Sequence, residues 1–313
     1  MFGVDTLINL GMLIFGFVLL IKGADVFVEG ASKIAAMLKI PQIVIGLTIV
    51  AFGTSAPEAA VSIASAFKGT AGIAIGNIIG SNICNVLLIL GLSGIMGALS
   101  IKKNTYKIET PFVVLISIVL LVLGNIGGGI DKLDAAILWA FFLLFLYYLY
   151  RLTLSGEDAG DDIPELEEGD KLWKLLIMIV LGMAAIVAGS QFTVDGASNI
   201  ATALGVSDRI IGLTIVAIGT SLPELVTSVS ASLKGKTDIA IGNVIGSNIF
   251  NILFVLGTAG LVSPIIIEFD PSFMTDGIIS IAAIVVFMLF IGKDMKLKKI
   301  GAVIMFVSYI AYI

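Results

Sequence analysis

Residues 45–58 read IGLTIVAFGTSAPE, and residues 211–224 read IGLTIVAIGTSLPE. Further along, 73–85 (IAIGNIIGSNICN) is echoed by 239–251 (IAIGNVIGSNIFN) at the same offset, with no insertion between. Well over half of the positions from 45 to 91 match their partners. Each copy sets a carboxylate, Glu58 or Glu224, inside an otherwise apolar segment. A charge so placed is costly in a membrane and marks a functional site. Interrupted hydrophobic segments at matching places of an internal repeat point to the binding site of a secondary transporter.

The surrounding chain suits a bilayer. Of its 313 residues 58% are hydrophobic and 13% charged, with a mean hydropathy of +1.12. A soluble domain carries about 25% charged residues. Apolar runs alternate with short charged loops, and no strand-like alternation suggests a barrel. The fold class is therefore an all-α integral membrane protein. The single cysteine, Cys84, allows no intramolecular disulfide, and its counterpart is Phe250, which reads as a packing position. Histidine is absent, which removes the commonest metal ligand and the commonest neutral-pH proton shuttle. It also argues against a serine hydrolase, and no G-x-G-D motif suggests an aspartyl one. No enzyme activity, resident cofactor, nucleic-acid partner or obligatory protein partner is expected beyond the lipid bilayer itself.

Hydrophobic windows predict ten transmembrane helices, near 7–35, 42–67, 72–98, 108–128, 133–153, 172–203, 209–233, 238–263, 273–292 and 297–313. The second and seventh are interrupted at Gly53-Thr54-Ser55 and Gly219-Thr220-Ser221. The acidic stretch 154–171 divides the chain into a first five-helix repeat, 1–153, and a second, 172–313. That stretch lacks the D-x-D-x-D-G spacing of a calcium-binding loop and reads as a solvated linker. With the N-terminus outside, only Lys68, Lys132 and Arg209 fall on the outer side, so the positive-inside rule puts both termini outside a cell membrane and 154–171 in the cytoplasm. An odd number of spans per half makes the second half an inverted-topology repeat of the first. The kinship reaches the first span of each half, where Gly23, Glu29 and Gly30 match Gly189, Asp195 and Gly196.

In G-T-S-x-P-E, proline cannot sit in a helix interior but is tolerated at a helix start. Ser55-Ala56-Pro57-Glu58 reads as a capping box beginning a second half-helix. The break is expected to free the carbonyls of Ala51 and Ala217, beside the hydroxyls of Thr54, Ser55, Thr220 and Ser221. Carboxylate, carbonyl and hydroxyl oxygens without sulfur or imidazole suit hard cations. In G-N-x-x-G-S-N-x-x-N, Gly76 and Gly80, with Gly242 and Gly246, read partly as close helix packing. The polar set Asn77, Ser81, Asn82 and Asn85, with its copy Asn243, Ser247, Asn248 and Asn251, is expected to line an ion site. Antiparallel halves bring Glu58 and Glu224 face to face. Their charge of −2 matches one divalent cation, and Ca2+ accepts flexible oxygen coordination more readily than Mg2+. Lys22 and Asp25, three apart on one helix, are expected to pair locally.

These paired motifs resemble the alpha-repeats of the calcium/cation antiporter superfamily, specifically its prokaryotic sodium/calcium exchangers, over essentially the whole chain. The resemblance implies alternating access and electrogenic exchange of several Na+ for one Ca2+. It implies that Glu58 and Glu224 bind Ca2+ and also serve Na+, with the backbone carbonyls of Thr54 and Thr220 helping Ca2+. Na+ sites would use Ala51, Ser55 and Ser81 in one half and Ala217, Ser221 and Ser247 in the other, with Asn85 and Asn251 completing the centre. The potassium-dependent branch relies on Asp where Asn251 stands, so K+ coupling is not expected. The alternative, a Ca2+/H+ antiporter of the same superfamily, typically has glutamate where Gly80 and Gly246 stand.

Overall fold

The computed structural model describes residues 4–67, 72–155, 166, 169–205 and 217–313. Its first helix, α1 (Val4–Leu38), carries glycines at 16, 23 and 30, and α7 (Leu172–Ala203) carries them at 182, 189 and 196. This seven-residue spacing keeps a small residue on one face of each helix. The faces meet. A Cβ on Gly23 would lie 2.9 Å from the carbonyl oxygen of Gly182, and one on Gly189 would lie 2.8 Å from that of Gly16. Gly196 meets Asn9 and Gly30 meets Leu175, so the two long helices run antiparallel in backbone contact.

After a turn at Pro41 comes α2 (Gln42–Thr54), bent by 54° against α3 (Ala56–Phe67). The polar helix α4 follows over 72–96, then α5 (Thr105–Ile126) and α6 (Lys132–Ser155). Beyond α7, the second break separates α8 (Ala217–Thr220) from α9 (Leu222–Leu233). The chain ends with α10 (Thr237–Val262), α11 (Ser272–Leu289) and α12 (Lys299–Tyr312). One short antiparallel ribbon, β1 (Gly129–Ile130) with β2 (Ile267–Glu268), ties the loop after α5 to the loop before α11.

Burial separates a centre from a rim. The apolar stretches of α4 and α10 are 83% and 94% buried, against 22% in α1 and α6. The rim helices present Leu7, Ile14, Phe15, Leu143, Leu144 and Val180 outward. A contiguous apolar exterior of this kind belongs in lipid. Among the described residues, seven helices are long and apolar enough to cross a membrane, or eight if the bent α2–α3 pair is one span. The expected spans at 72–98, 108–128, 133–153, 172–203, 238–263 and 273–292 each coincide with one of these helices. The expected span 297–313 is the 14-residue α12, about 21 Å long against a hydrocarbon core of about 30 Å. The expected span 209–233 and the linker 154–171 lie partly outside the described residues.

Candidate functional site

Pro57 and Pro223 lack the N–H that would bond the carbonyl four residues earlier, so each helix must break there. At the second break the orphaned carbonyl is that of Gly219, and Ser190 of α7 donates its hydroxyl to it at 2.7 Å. The matching position in α1 is Ala24, which has no hydroxyl to offer Gly53. The expected freeing of the Ala51 carbonyl is not met. It accepts the N–H of Ser55 at 3.0 Å, so the helix runs on to the break itself.

At the second copy no capping box forms. Ser221 precedes α9 without a side-chain cap. The serines reach across the molecule. Ser55 donates to Oε1 of Glu224 at 2.8 Å, and Ser221 donates to Oε1 of Glu58 at 3.4 Å. A hydrogen bond to a charged acceptor is stronger than one to a neutral group, and burial removes competing water. Both glutamates are 1% exposed and sit in the first turns of α3 and α9. Their charges act on each other, and the Thr220 hydroxyl lies beside Glu58.

The two asparagine motifs divide into holders and facing groups. Asn77 donates to Ser62 Oγ at 2.9 Å and to the Glu58 carbonyl at 3.4 Å. Asn243 does the same with Ser228 Oγ at 2.9 Å and the Glu224 carbonyl at 3.3 Å. These two therefore brace α3 and α9, and Thr54 donates to Asn243 Oδ1 at 2.9 Å. Asn85 donates to Asn248 Oδ1 at 3.0 Å, and Asn251 donates to Asn82 Oδ1 at 3.1 Å. With its amide nitrogen tethered, each of Asn85 and Asn251 turns its oxygen the other way. Both asparagines also begin a π-helical stretch, Asn85–Leu90 and Asn251–Leu256. Such wide turns occur frequently at functional sites.

The result is a set of buried acceptors lacking donors: Oε2 of Glu58, Oε2 of Glu224, Oδ1 of Asn85 and Oδ1 of Asn251. Buried oxygens of this kind are costly unless something positive meets them. Ser247 Oγ is likewise buried without a partner, and Ser81 is buried nearby on α4. Among the described residues, no group of three or more His, Cys, Asp or Glu side chains gathers at one point. The site therefore has two carboxylates and otherwise neutral oxygens, a donor set that suits a hard cation. Gly242 and Gly246 let α10 press against α2, where a Cβ on Gly246 would lie 2.7 Å from Leu47 Cα. Ala217 opens α8, and the residues before it, 211–216, lie outside the described part.

Two expectations fall elsewhere. Asp25 pairs with Lys234 at 3.0 Å and accepts from Ser230 at 2.8 Å, in place of the local pair with Lys22. Glu29 pairs with Lys33 at 3.3 Å, away from the glutamate pair. The partners Ser62, Ser228 and Ser190 were not singled out from the sequence. Ser62 and Ser228 stand at matching positions, so the repeat itself marked them; Ser190, opposite Ala24, carried no such signal.

Comparison with known proteins agrees with this geometry. The family model "Sodium/calcium exchanger protein" matches residues 8–151 and 174–313. CaxA of Alkalimonas amylolytica, described as an antiporter, is 40% identical over 95% of both chains. The sodium/calcium exchanger MaX1 of Methanosarcina acetivorans is 35% identical over 98% of this chain and 97% of its own. The solved structure of the sodium-calcium exchanger NCX_Mj superposes with a TM-score of 0.83 at 32% identity, covering 98% of each chain. The chain is a multi-pass membrane protein and a cation/Ca2+ antiporter, and it belongs to the sodium/calcium exchanger family.

Proposed function

We propose that the chain exchanges Na+ for Ca2+ across the cell membrane by alternating access, electrogenically and without K+. The observation that carries this reading is the set of partnerless oxygens on Glu58, Glu224, Asn85 and Asn251. A hydrogen bond to a charged group contributes about 1.5–3 kcal/mol. Each buried ion forfeits several kcal/mol of hydration. The oxygen left without a donor on each carboxylate keeps a deficit, which a divalent cation bound by both glutamates removes.

In this reading Ca2+ lies between Glu58 and Glu224, with the carbonyls of Thr54 and Thr220 and the oxygens of Asn85 and Asn251 around it. Na+ takes the glutamates singly, with Ala51, Ser55 and Ser81 on one side and Ala217, Ser221 and Ser247 on the other. The Ala51 carbonyl uses its second lone pair, the first being taken by Ser55. Crossing with the site empty leaves two uncompensated charges in a low dielectric, so the protein moves loaded with one ion or the other. That coupling makes it an exchanger and not a leak.

The paired reciprocal bonds, Ser55 to Glu224 and Ser221 to Glu58, support two inverted five-helix repeats, 1–153 and 172–313, making ten spans in all. The tethering of Asn251 through its amide nitrogen favours asparagine over aspartate there, and with it K+ independence. The lysine bias of the loops supports termini outside and 154–171 in the cytoplasm. Radiolabelled Ca2+ uptake into proteoliposomes tests the reading. Outward Na+ gradients should drive uptake without K+ at clamped pH, and faster when the membrane potential opposes charge build-up. Uptake driven by a pH gradient and not by Na+ would assign a Ca2+/H+ antiporter instead.

A further inference from the structure

A cavity of about 1040 Å3 opens where the loop after α1, the segment after α4 and the loop between α9 and α10 converge. Lys39, Lys102, Lys234 and Lys236 line it, and Asp238 is the carboxylate among its walls. Two of these lysines are neutralised. Lys102 pairs with Asp238 at 3.7 Å, and Lys234 pairs with Asp25 at 3.0 Å. Among the described residues neither Lys39 nor Lys236 forms an ion pair. Lys236 is half-buried, and its ammonium is held below its usual pKa, first by burial and then by Lys234, with Lys33 adding to this and Glu29 opposing it. Among the described residues the cavity walls therefore carry more lysines than carboxylates, with Lys33 held between Glu29 and Asp170 close by.

Three further observations suggest that this charge serves a ligand. Lys39 has φ +56°, a left-handed conformation that glycine adopts freely and a lysine adopts at a cost of about 1 kcal/mol. The matching turn after α7 uses Gly205, with φ +82°. A lysine is thus kept where the fold would be easier with glycine. The position matching Lys236 is Thr70, so the pair of unpaired lysines is absent from the other half and lies outside the duplicated cation path. Ser32, also on the cavity wall, has a buried hydroxyl without a partner.

We infer that Lys39 and Lys236, with the Ser32 hydroxyl on the α1 wall of the cavity, bind a phosphate-bearing anion. A phosphomonoester carries about −1.5 to −2 at neutral pH, which the lysines without an ion pair can meet, and lysine serves phosphate well as a point charge. The cavity has room for phosphate alone or for a glycerophosphate headgroup. Bound there, the anion joins the loop after α1 to the loop between α9 and α10, and so the end of α1 to the end of the glutamate-bearing half-helix α9.

The test uses the full chain in nanodiscs of phosphatidylcholine and follows the thermal unfolding midpoint. The probes are inorganic phosphate in solution and phosphatidate doped into the disc, each against chloride at equal ionic strength. A saturable rise with inorganic phosphate assigns a free anion; a rise with phosphatidate alone assigns a lipid headgroup. In Lys39→Asn/Lys236→Gln the apparent affinity should fall by about ten-fold or more, and Lys39→Arg/Lys236→Arg should restore it. The single variant Lys236→Gln serves as a second probe should the double variant fail to fold. No rise beyond that given by chloride, or an unchanged response in the Asn/Gln variants, overturns the proposal.

Discussion

The hydroxyl of Ser55 lies 2.8 Å from Oε1 of Glu224, although the two residues belong to opposite halves of the chain. Its mirror, Ser221 to Glu58, is longer at 3.4 Å. The two bonds hold one oxygen of each carboxylate and leave the other facing the site. The difference in length makes them unequal in strength. Ser55→Ala is expected to weaken Ca2+ binding about ten-fold, the equivalent of a charged hydrogen bond near the low end of its range. Ser221→Ala is expected to weaken it less, and isothermal titration of the two variants measures the ordering.

Asn248 acts on the site through another residue. Its Oδ1 accepts from Asn85 and so aims the Asn85 oxygen. Asn248→Leu removes that acceptor and leaves the Asn85 amide free to turn. The half-saturating Ca2+ concentration should rise several-fold while the maximal rate changes little, whereas Glu224→Gln should lose rate outright. Initial-rate flux measurements over a range of Ca2+ separate the two.

Much of this arrangement is legible in the residues. The repeat, the broken helices and the glutamates all follow from sequence, because a charge and a proline inside an apolar run leave few readings. The direction of the serines does not follow. Ser-Ala-Pro-Glu is a good local capping sequence, and only the meeting of two halves lets the Ser55 hydroxyl donate to Glu224. The same holds for Asp25, whose partner Lys234 is distant in sequence and takes the place of its neighbour Lys22. The π-helical stretches at Asn85 and Asn251 leave no periodic signature in a run that is apolar on all sides.

Ser190 supplies the donor that Pro223 takes away from Gly219. Ser190→Ala leaves that carbonyl buried without a partner, at a cost of about 1–3 kcal/mol. The thermal midpoint should fall with Ca2+ absent. Ala24→Gly, at the position where no such bond exists, serves as the comparison.

The glycine faces of α1 and α7 set how closely the two helices run. A side chain at Gly189 would meet the Leu20 backbone nitrogen at 2.7 Å, and neither backbone can yield without separating the pair. Gly189→Val should cost about 1–3 kcal/mol through overpacking and slow exchange. Gly11→Val, where nothing lies within 4 Å, should leave both unchanged.

Ligand linkage gives a prediction that needs no flux. At a Ca2+ concentration 100-fold above Kd, binding stabilises the folded state by about 2.7 kcal/mol. Thermal unfolding should therefore shift upward with Ca2+ in the parent protein and fail to shift in Glu58→Gln. Chelating Ca2+ should reverse the shift in the parent and leave the variant midpoint unchanged.

The central claim is that Glu58 and Glu224 together form one site for the exchanged ion. Na+-driven Ca2+ uptake into proteoliposomes by Glu58→Gln and by Glu224→Gln, each checked for native unfolding behaviour, addresses it most directly. Loss of uptake in both folded variants is the expected result. Uptake near the parent rate in either one would contradict a shared two-carboxylate site.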